Sequence, residues 1–264
     1  MRLITLALLL FSLDASARVD TLWFHSTSMD KTIGTIIITP TEYDQNNEQY
    51  PAVYILHGAG GDYGNWLRRM PELEELSNEF GFVLVCPDGE KTSWYLDSPL
   101  DSSMKYETYI IDELVPEIDL KYRISNKAIT GLSMGGHGAL YLSLKNPEVF
   151  SIAGSMSGSV DLRPFHGNWD LPKRIGNQED NMTNWVENSV VVIANSTDPI
   201  PFQFIVDCGT EDFFLEANRS LNIVLEANGY DYQYSERKGA HNWSYWRESI
   251  IHHLKFFESK FTQQ

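Results

Sequence analysis

One serine and a small set of histidines and carboxylates carry the spacings in this chain that could do chemistry. Ser133 sits in Gly131-Leu132-Ser133-Met134-Gly135, between the apolar run Ala128-Ile129-Thr130 and a helical pattern through Ala139, Leu140, Leu142 and Leu144. A Gly-x-Ser-x-Gly turn between strand and helix can close tightly enough to hold a serine hydroxyl exposed, because neither glycine carries a Cβ. Alone the pattern is weak, since about one chain in ten of this length contains it by chance. Its weight comes from partners further along.

A serine needs a base, and the base needs an orienting acid. Five histidines follow Ser133: His137, His166, His241, His252 and His253. His137 is inside the elbow helix and cannot reach back to its own serine. His166 precedes any suitable acid strand, and His252 and His253, beside Lys255 on a terminal helix, read as surface residues. His241 remains, in the loop Lys238-Gly239-Ala240-His241-Asn242-Trp243 ahead of the last helix. For the acid, Asp207, Glu211 and Asp212 compete in Asp207-Cys208-Gly209-Thr210-Glu211-Asp212. Asp207 is still on a strand, whereas Asp212 lies past Gly209 where a side chain can turn inward, so Asp212 is preferred.

An oxyanion developing on the substrate requires two aimed N–H groups. Met134, just after the nucleophile at a helix start, supplies one, and Ala59 in His57-Gly58-Ala59-Gly60-Gly61 is expected to supply the other. That glycine loop has neither the G-x-G-x-x-G spacing nor the Lys-Ser/Thr ending of a nucleotide loop.

The elements that must position these residues alternate. Strands are expected over 35–39, 52–56, 82–86, 152–156 and 202–206, and helices over 72–80, 106–120 and 245–257. Pro116 should kink the second helix or begin a new turn. Residues 158–201, rich in Asn, Asp and Trp, are too long for a simple connection and read as a cap of short helices. Strands alternating with helices imply a mostly parallel sheet covered on both faces, and the elbow narrows this to an α/β-hydrolase fold.

Length and composition fit one such domain, 18–264: of 264 residues, 42% are hydrophobic and 21% charged, with no linker or repeat dividing them. Ahead of it, Arg2, an apolar run from Leu3 to Leu13 and Ala15-Ser16-Ala17 form a secretory signal over 1–17, too short to span a bilayer. The expected location is therefore secreted or periplasmic. The net charge of −16 disfavours nucleic acid and anionic membranes and suits a neutral substrate. Cys86 and Cys208 fall on non-adjacent strands and are expected to be buried free thiols. No metal-ligand spacing is present, so no metal or cofactor is expected.

Four motifs in order, Leu56-His57-Gly58-Ala59-Gly60-Gly61 with Asn65-Trp66, the Ser133 elbow, Cys208-Gly209-Thr210-Glu211-Asp212 and Gly239-Ala240-His241-Asn242-Trp243, resemble the esterase D (Putative esterase) family. That family includes S-formylglutathione hydrolases, feruloyl and acetyl xylan esterases, tributyrin esterases and mycolyltransferases. The resemblance covers nearly all of the chain beyond the signal. It implies Ser133, Asp212 and His241 as the triad and Ala59 and Met134 as oxyanion donors. Trp94-Tyr95-Leu96-Asp97-Ser98-Pro99 is similar to a segment of the short-acyl and feruloyl esterase branch that lies near the acyl site.

The expected activity is hydrolysis of acetyl or feruloyl esters on plant-type carbohydrate, through an acyl-enzyme. Gly58, Trp66, Trp94 and Tyr95, with Phe165, Trp169 and Trp185 of the cap, are expected to border the substrate, a small-molecule or carbohydrate ester. A short-chain tributyrin-type esterase, an acyltransferase of the same fold and a catalytically silent binding protein are the alternatives.

Overall fold

The computed structural model describes residues 17–263. Apart from Ala17, the expected signal peptide lies outside the described residues. Among the described residues, eight strands form one sheet in the order β1-β2-β4-β3-β5-β6-β7-β8. β1 (Arg18–Ser26) and β2 (Lys31–Thr39) are a hairpin, and β2 also runs antiparallel to β4 (Val83–Pro87). From β4 across β3 (Tyr50–Leu56), β5 (Ile124–Gly131), β6 (Ile152–Met156), β7 (Gln203–Gly209) and β8 (Asp231–Arg237), every pairing is parallel.

The unbroken apolar run of β3 follows from burial on both faces. Successive side chains point to opposite sides of a sheet. Val53 and Ile55 enter one core, with Leu254 and Phe257 of the C-terminal helix; Tyr54 and Leu56 enter the other, with Leu140 and Leu142 of the elbow helix. These helices are α10 (Trp243–Phe261), the longest among the described residues, and α5 (Met134–Lys145). The first core also takes α2 (Leu73–Phe80), which Gly81 stops in the left-handed region (φ 63°), the conformation glycine adopts without a Cβ penalty.

The helix expected over 106–120 is present but not uniform. It is α-helical over Tyr106–Thr108 (α3) and Val115–Lys121 (α4) and π-helical over Tyr109–Leu114 between them. Pro116 lies within this continuous run and has no N–H to donate to the preceding turn, and the irregularity there takes the form of a π-helical segment immediately upstream. Ile110, Leu114 and Ile118 are fully buried, as their spacing requires.

The cap comprises α6 (Leu171–Ile175), α7 (Met182–Glu187) and α8 (Val190–Ser196). It is no separate layer: Leu171, Ile175, Trp185, Val190 and Ala194 continue the core beneath α5. Cys86 in β4 and Cys208 in β7 are both buried and free. They stand four strand steps apart in the sheet, about 19 Å at about 4.8 Å a step.

Candidate active site

Only Leu132 and Ser133 separate the end of β5 from the start of α5. Ser133 accordingly takes φ 56° and ψ −118°, a conformation that costs about 1–3 kcal/mol and is held by its surroundings. Its N–H donates to the Met156 carbonyl at 3.0 Å, and its carbonyl accepts from His137 N–H at 3.0 Å. Both glycines are sterically required. A Cβ on Gly131 would fall 2.5 Å from the Gly135 carbonyl carbon, and one on Gly135 would fall 2.6 Å from the Leu56 carbonyl oxygen.

Two more loops converge on the serine. After β7, Asp212 accepts from the Phe214 N–H through Oδ1 at 2.8 Å, which leaves Oδ2 facing His241 Nδ1 at 2.8 Å. After β8, the Gly239–Asn242 turn carries His241 to within 2.9 Å of the Ser133 hydroxyl through Nε2. The carboxylate can only accept, so Nδ1 carries the proton and Nε2 presents its lone pair to the hydroxyl. Backbone bonds from Thr210 N–H to the Arg237 carbonyl (2.9 Å) and from Glu211 N–H to the Gly239 carbonyl (2.8 Å) tie the two loops together.

The other acids go elsewhere. Glu211 is exposed, and Asp207 is buried against Ser249 and His253. The surface placement expected for His253 is corrected: it is fully buried, with Thr130 Oγ1 2.7 Å from Nδ1. It lies four residues after Ser249 and three after Ile250, both buried, and so shares their inward face of α10, while His252 is exposed. His137 is buried between the Trp94 and Asn188 carbonyls, at 3.2 and 2.8 Å. Burial pushes its imidazole down to about 4. His166 is exposed.

Opposite the histidine runs the loop after β3. A Cβ on Gly58 would fall 2.5 Å from Leu132 Cδ1 and 3.3 Å from Ser133 Cβ, so glycine alone lets this backbone lie against Ser133. Gly58 and Ala59 line the same cleft as Ser133 and His241. Met134 is the first residue of α5, where N–H groups lack intrahelical acceptors and the helix dipole is positive. His57 fastens the loop. The Gly89 N–H donates to its Nε2 at 2.8 Å, so Nδ1 carries the proton and donates to the Gly58 carbonyl at 2.9 Å. The Tyr95 hydroxyl lies 3.1 Å from both the N and the O of His57.

The cleft holds about 190 Å³ and is walled by Asn65, Trp169, Phe213, Trp243 and Trp246. A larger hollow of about 470 Å³ lies between β1 and the 109–121 helix, without Ser133 or His241. Gly58 borders the cleft as expected, but Trp66, Trp94 and Tyr95 do not. Each is at most 1% exposed and stands behind the wall. Trp66 donates Nε1–H to the Leu56 carbonyl at 3.0 Å and packs edge-on against Trp243. Trp94 donates to the Trp169 carbonyl at 3.1 Å, and so holds the cap residue that does reach the cleft. Phe165 packs on Trp169, and Trp185 is buried within the cap, its Nε1–H on the Gly176 carbonyl.

Asn65 and Trp243 belong to the family motifs but were not expected at the cleft wall, and Phe213 and Trp246 were not singled out; these two lie one residue after Asp212 and three after Trp243, a signal that neighbourhood alone offered. Phe213 lies flat against Trp169 (centroids 6.0 Å apart, 18° between planes) and 4.4 Å from the His241 ring. Trp246 stands edge-on to that ring at 4.9 Å.

Among the described residues, no group of three or more His, Cys, Asp or Glu is placed to hold a metal ion, and no helix is long and apolar enough to cross a membrane. An acetyl esterase of Caldicellulosiruptor saccharolyticus is 27% identical over 256 residues, 86% of this chain and 93% of that protein. Esterase Rv1288 of Mycobacterium tuberculosis is 30% identical over 151 residues, 54% of this chain but 33% of its own length. A solved ferulic acid esterase superposes with a TM-score of 0.82 at 25% identity, covering 94% of this chain and 99% of that one. The family model described as Putative esterase matches residues 26–257. Strand order, elbow and family match agree, and the chain belongs to the Putative esterase family, serine carboxylic ester hydrolases of the α/β-hydrolase fold.

Proposed function

We propose that Ser133 is the nucleophile, His241 the general base and acid, and Asp212 the residue that orients it. The observation that carries this reading is the relay of 2.9 Å from Ser133 Oγ to His241 Nε2 and 2.8 Å from His241 Nδ1 to Asp212 Oδ2. His241 takes the hydroxyl proton as Ser133 Oγ bonds to the ester carbonyl carbon. The oxygen that becomes negative is received by the Ala59 and Met134 N–H groups. Collapse expels the alcohol, which leaves with the proton from His241, and an acyl-serine remains. Water repeats the sequence and releases the acid.

The proposed substrates are acetyl or feruloyl esters of a plant-type carbohydrate. Support comes from the aromatic wall of Trp169, Phe213 and Trp243, which fits a planar acyl group or the face of a sugar. The names of the similar acetyl and ferulic acid esterases point the same way. The proposal extends to export through residues 1–17, which would bring the protein to such esters outside the cell; N-terminal sequencing of the secreted protein should then begin at Arg18.

The reading is tested by comparing kcat/KM on methyl ferulate, acetylated xylan and short p-nitrophenyl esters. It expects turnover of the first two above that of a p-nitrophenyl butyrate control. Turnover of the simple short-chain ester alone would replace it with a tributyrin-type esterase.

A further inference from the structure

A buried carboxylate outside the cleft connects the strands that lead to Ser133, Asp212 and His241. Asp207 lies in β7, five residues before Asp212, and is fully buried. Its Oδ1 accepts from Ser249 Oγ at 2.9 Å. Its Oδ2 accepts from His253 Nε2 at 3.2 Å and from the Arg237 guanidinium at 3.4 Å. Arg237 ends β8, four residues before His241, and also donates to Ser249. The other nitrogen of His253 meets Thr130 Oγ1 at 2.7 Å, and Thr130 lies in β5, three residues before Ser133.

β6 separates β5 from β7, so His253 must bridge it. It does so at Gly154: a Cβ there would fall 2.4 Å from His253 Nδ1 and 2.9 Å from Thr130 Oγ1. The carboxylate can only accept, so Nε2 carries a proton and Nδ1 is left to the threonine hydroxyl. The result is a second hydroxyl–imidazole–carboxylate chain, without access to substrate. Such a buried charged network is a costly way to hold a sheet together, since apolar side chains of similar volume would do so without desolvating charge. What it adds is fixed direction and distance between named atoms.

We propose that Thr130, His253 and Asp207 form a positioning unit that sets the nucleophile strand against the two strands bearing its partners. Thr130 and His253 are thereby positioning residues for ester hydrolysis. The inference rests on the roles given above to Ser133, His241 and Asp212. A small slip of β5 relative to β7 would pull Ser133 Oγ off His241 Nε2, and small misplacements of reacting groups carry large rate penalties.

Thr130→Val keeps the shape and removes the hydroxyl, and Thr130→Ser restores it. The expected result is a fall in kcat of about tenfold for Thr130→Val with KM within about twofold of wild type, recovery in Thr130→Ser, and a matching fall in the rate of phosphonylation by a fluorophosphonate. His253→Leu should reduce kcat further. Wild-type kcat and phosphonylation rate in Thr130→Val, with only a lower unfolding temperature, would overturn the proposal and leave the unit a purely structural one. A Ser133→Ala variant run alongside separates the two readings: if it still turns over, the triad assignment itself has failed.

Discussion

Oδ2 of Asp212 lies 2.8 Å from Nδ1 of His241, while Oδ1 of the same carboxylate is held by the Phe214 N–H at 2.8 Å. Both oxygens are thus committed, and the one facing the imidazole cannot swing away without breaking the other bond. Asp212→Asn keeps the shape but can place an amide N–H against Nδ1, which favours the wrong tautomer. Its kcat should fall about 10⁴-fold. Asp207→Asn should not approach that loss; if it does, the acid has been misassigned.

Phe213 is 56% exposed, yet stacks on Trp169 at the cleft mouth. Trp169 is held there at φ 46° by its carbonyl bond from Trp94 Nε1, so the pair is a prepared surface. Phe213→Ala should raise KM for methyl ferulate about tenfold, the loss of one aromatic contact of about 1.4 kcal/mol, and leave p-nitrophenyl acetate hydrolysis within about twofold. Equal losses on both esters would show that Phe213 positions His241 instead of the acyl group.

The two thiols should be inert. Burial pushes Cys86 up to about 12 and raises Cys208 as well, with the Asp212 charge adding to it. Since the thiolate is the reactive form, titration with a disulfide reagent should detect no thiol in the native protein and two after denaturation. A rapid native reaction would contradict the burial of both strands.

The buried network makes acid stability depend on Asp207. Burial pushes its carboxyl up, but the His253 hydrogen bond, the Arg237 guanidinium and the Ser249 hydroxyl together hold it below its usual value. A carboxyl lowered on folding contributes stability that is fully present above the unfolded value of about 3.9 and is lost as pH falls through the folded one. The unfolding-temperature gap between wild type and Asp207→Asn should be widest near neutral pH and narrow below about pH 4. A gap independent of pH would show that the asparagine disrupts packing and not a charged network.

The central parallel strands were legible because burial on both faces makes them continuous apolar runs, as in Ala52-Val53-Tyr54-Ile55-Leu56. The edge strands were not. β8 mixes exposed and half-buried residues, β1 alternates exposed with half-buried or buried residues from Thr21 on, and the two carry Arg18, Asp20, Asp231 and Glu236, the charges an edge strand uses against mispairing. Ser133, Asp212 and His241 could be placed because chain order and loop position constrain them. The cleft wall could not, because neighbours on a short helix point different ways: in α1 (Asn65–Arg69), Trp66 turns into the core while Asn65 faces the cleft. His253 escaped for the same reason, since only the packing of α10 decides which of two adjacent histidines points inward.

In the proposed mechanism Ser133 forms the covalent acyl-enzyme. Peptide mapping by mass spectrometry after inactivation with a fluorophosphonate tests it most directly. The expected result is one phosphonyl adduct per chain, on Ser133, with no adduct in Ser133→Ala. An adduct on another residue, or none on a protein that still hydrolyses esters, would contradict it.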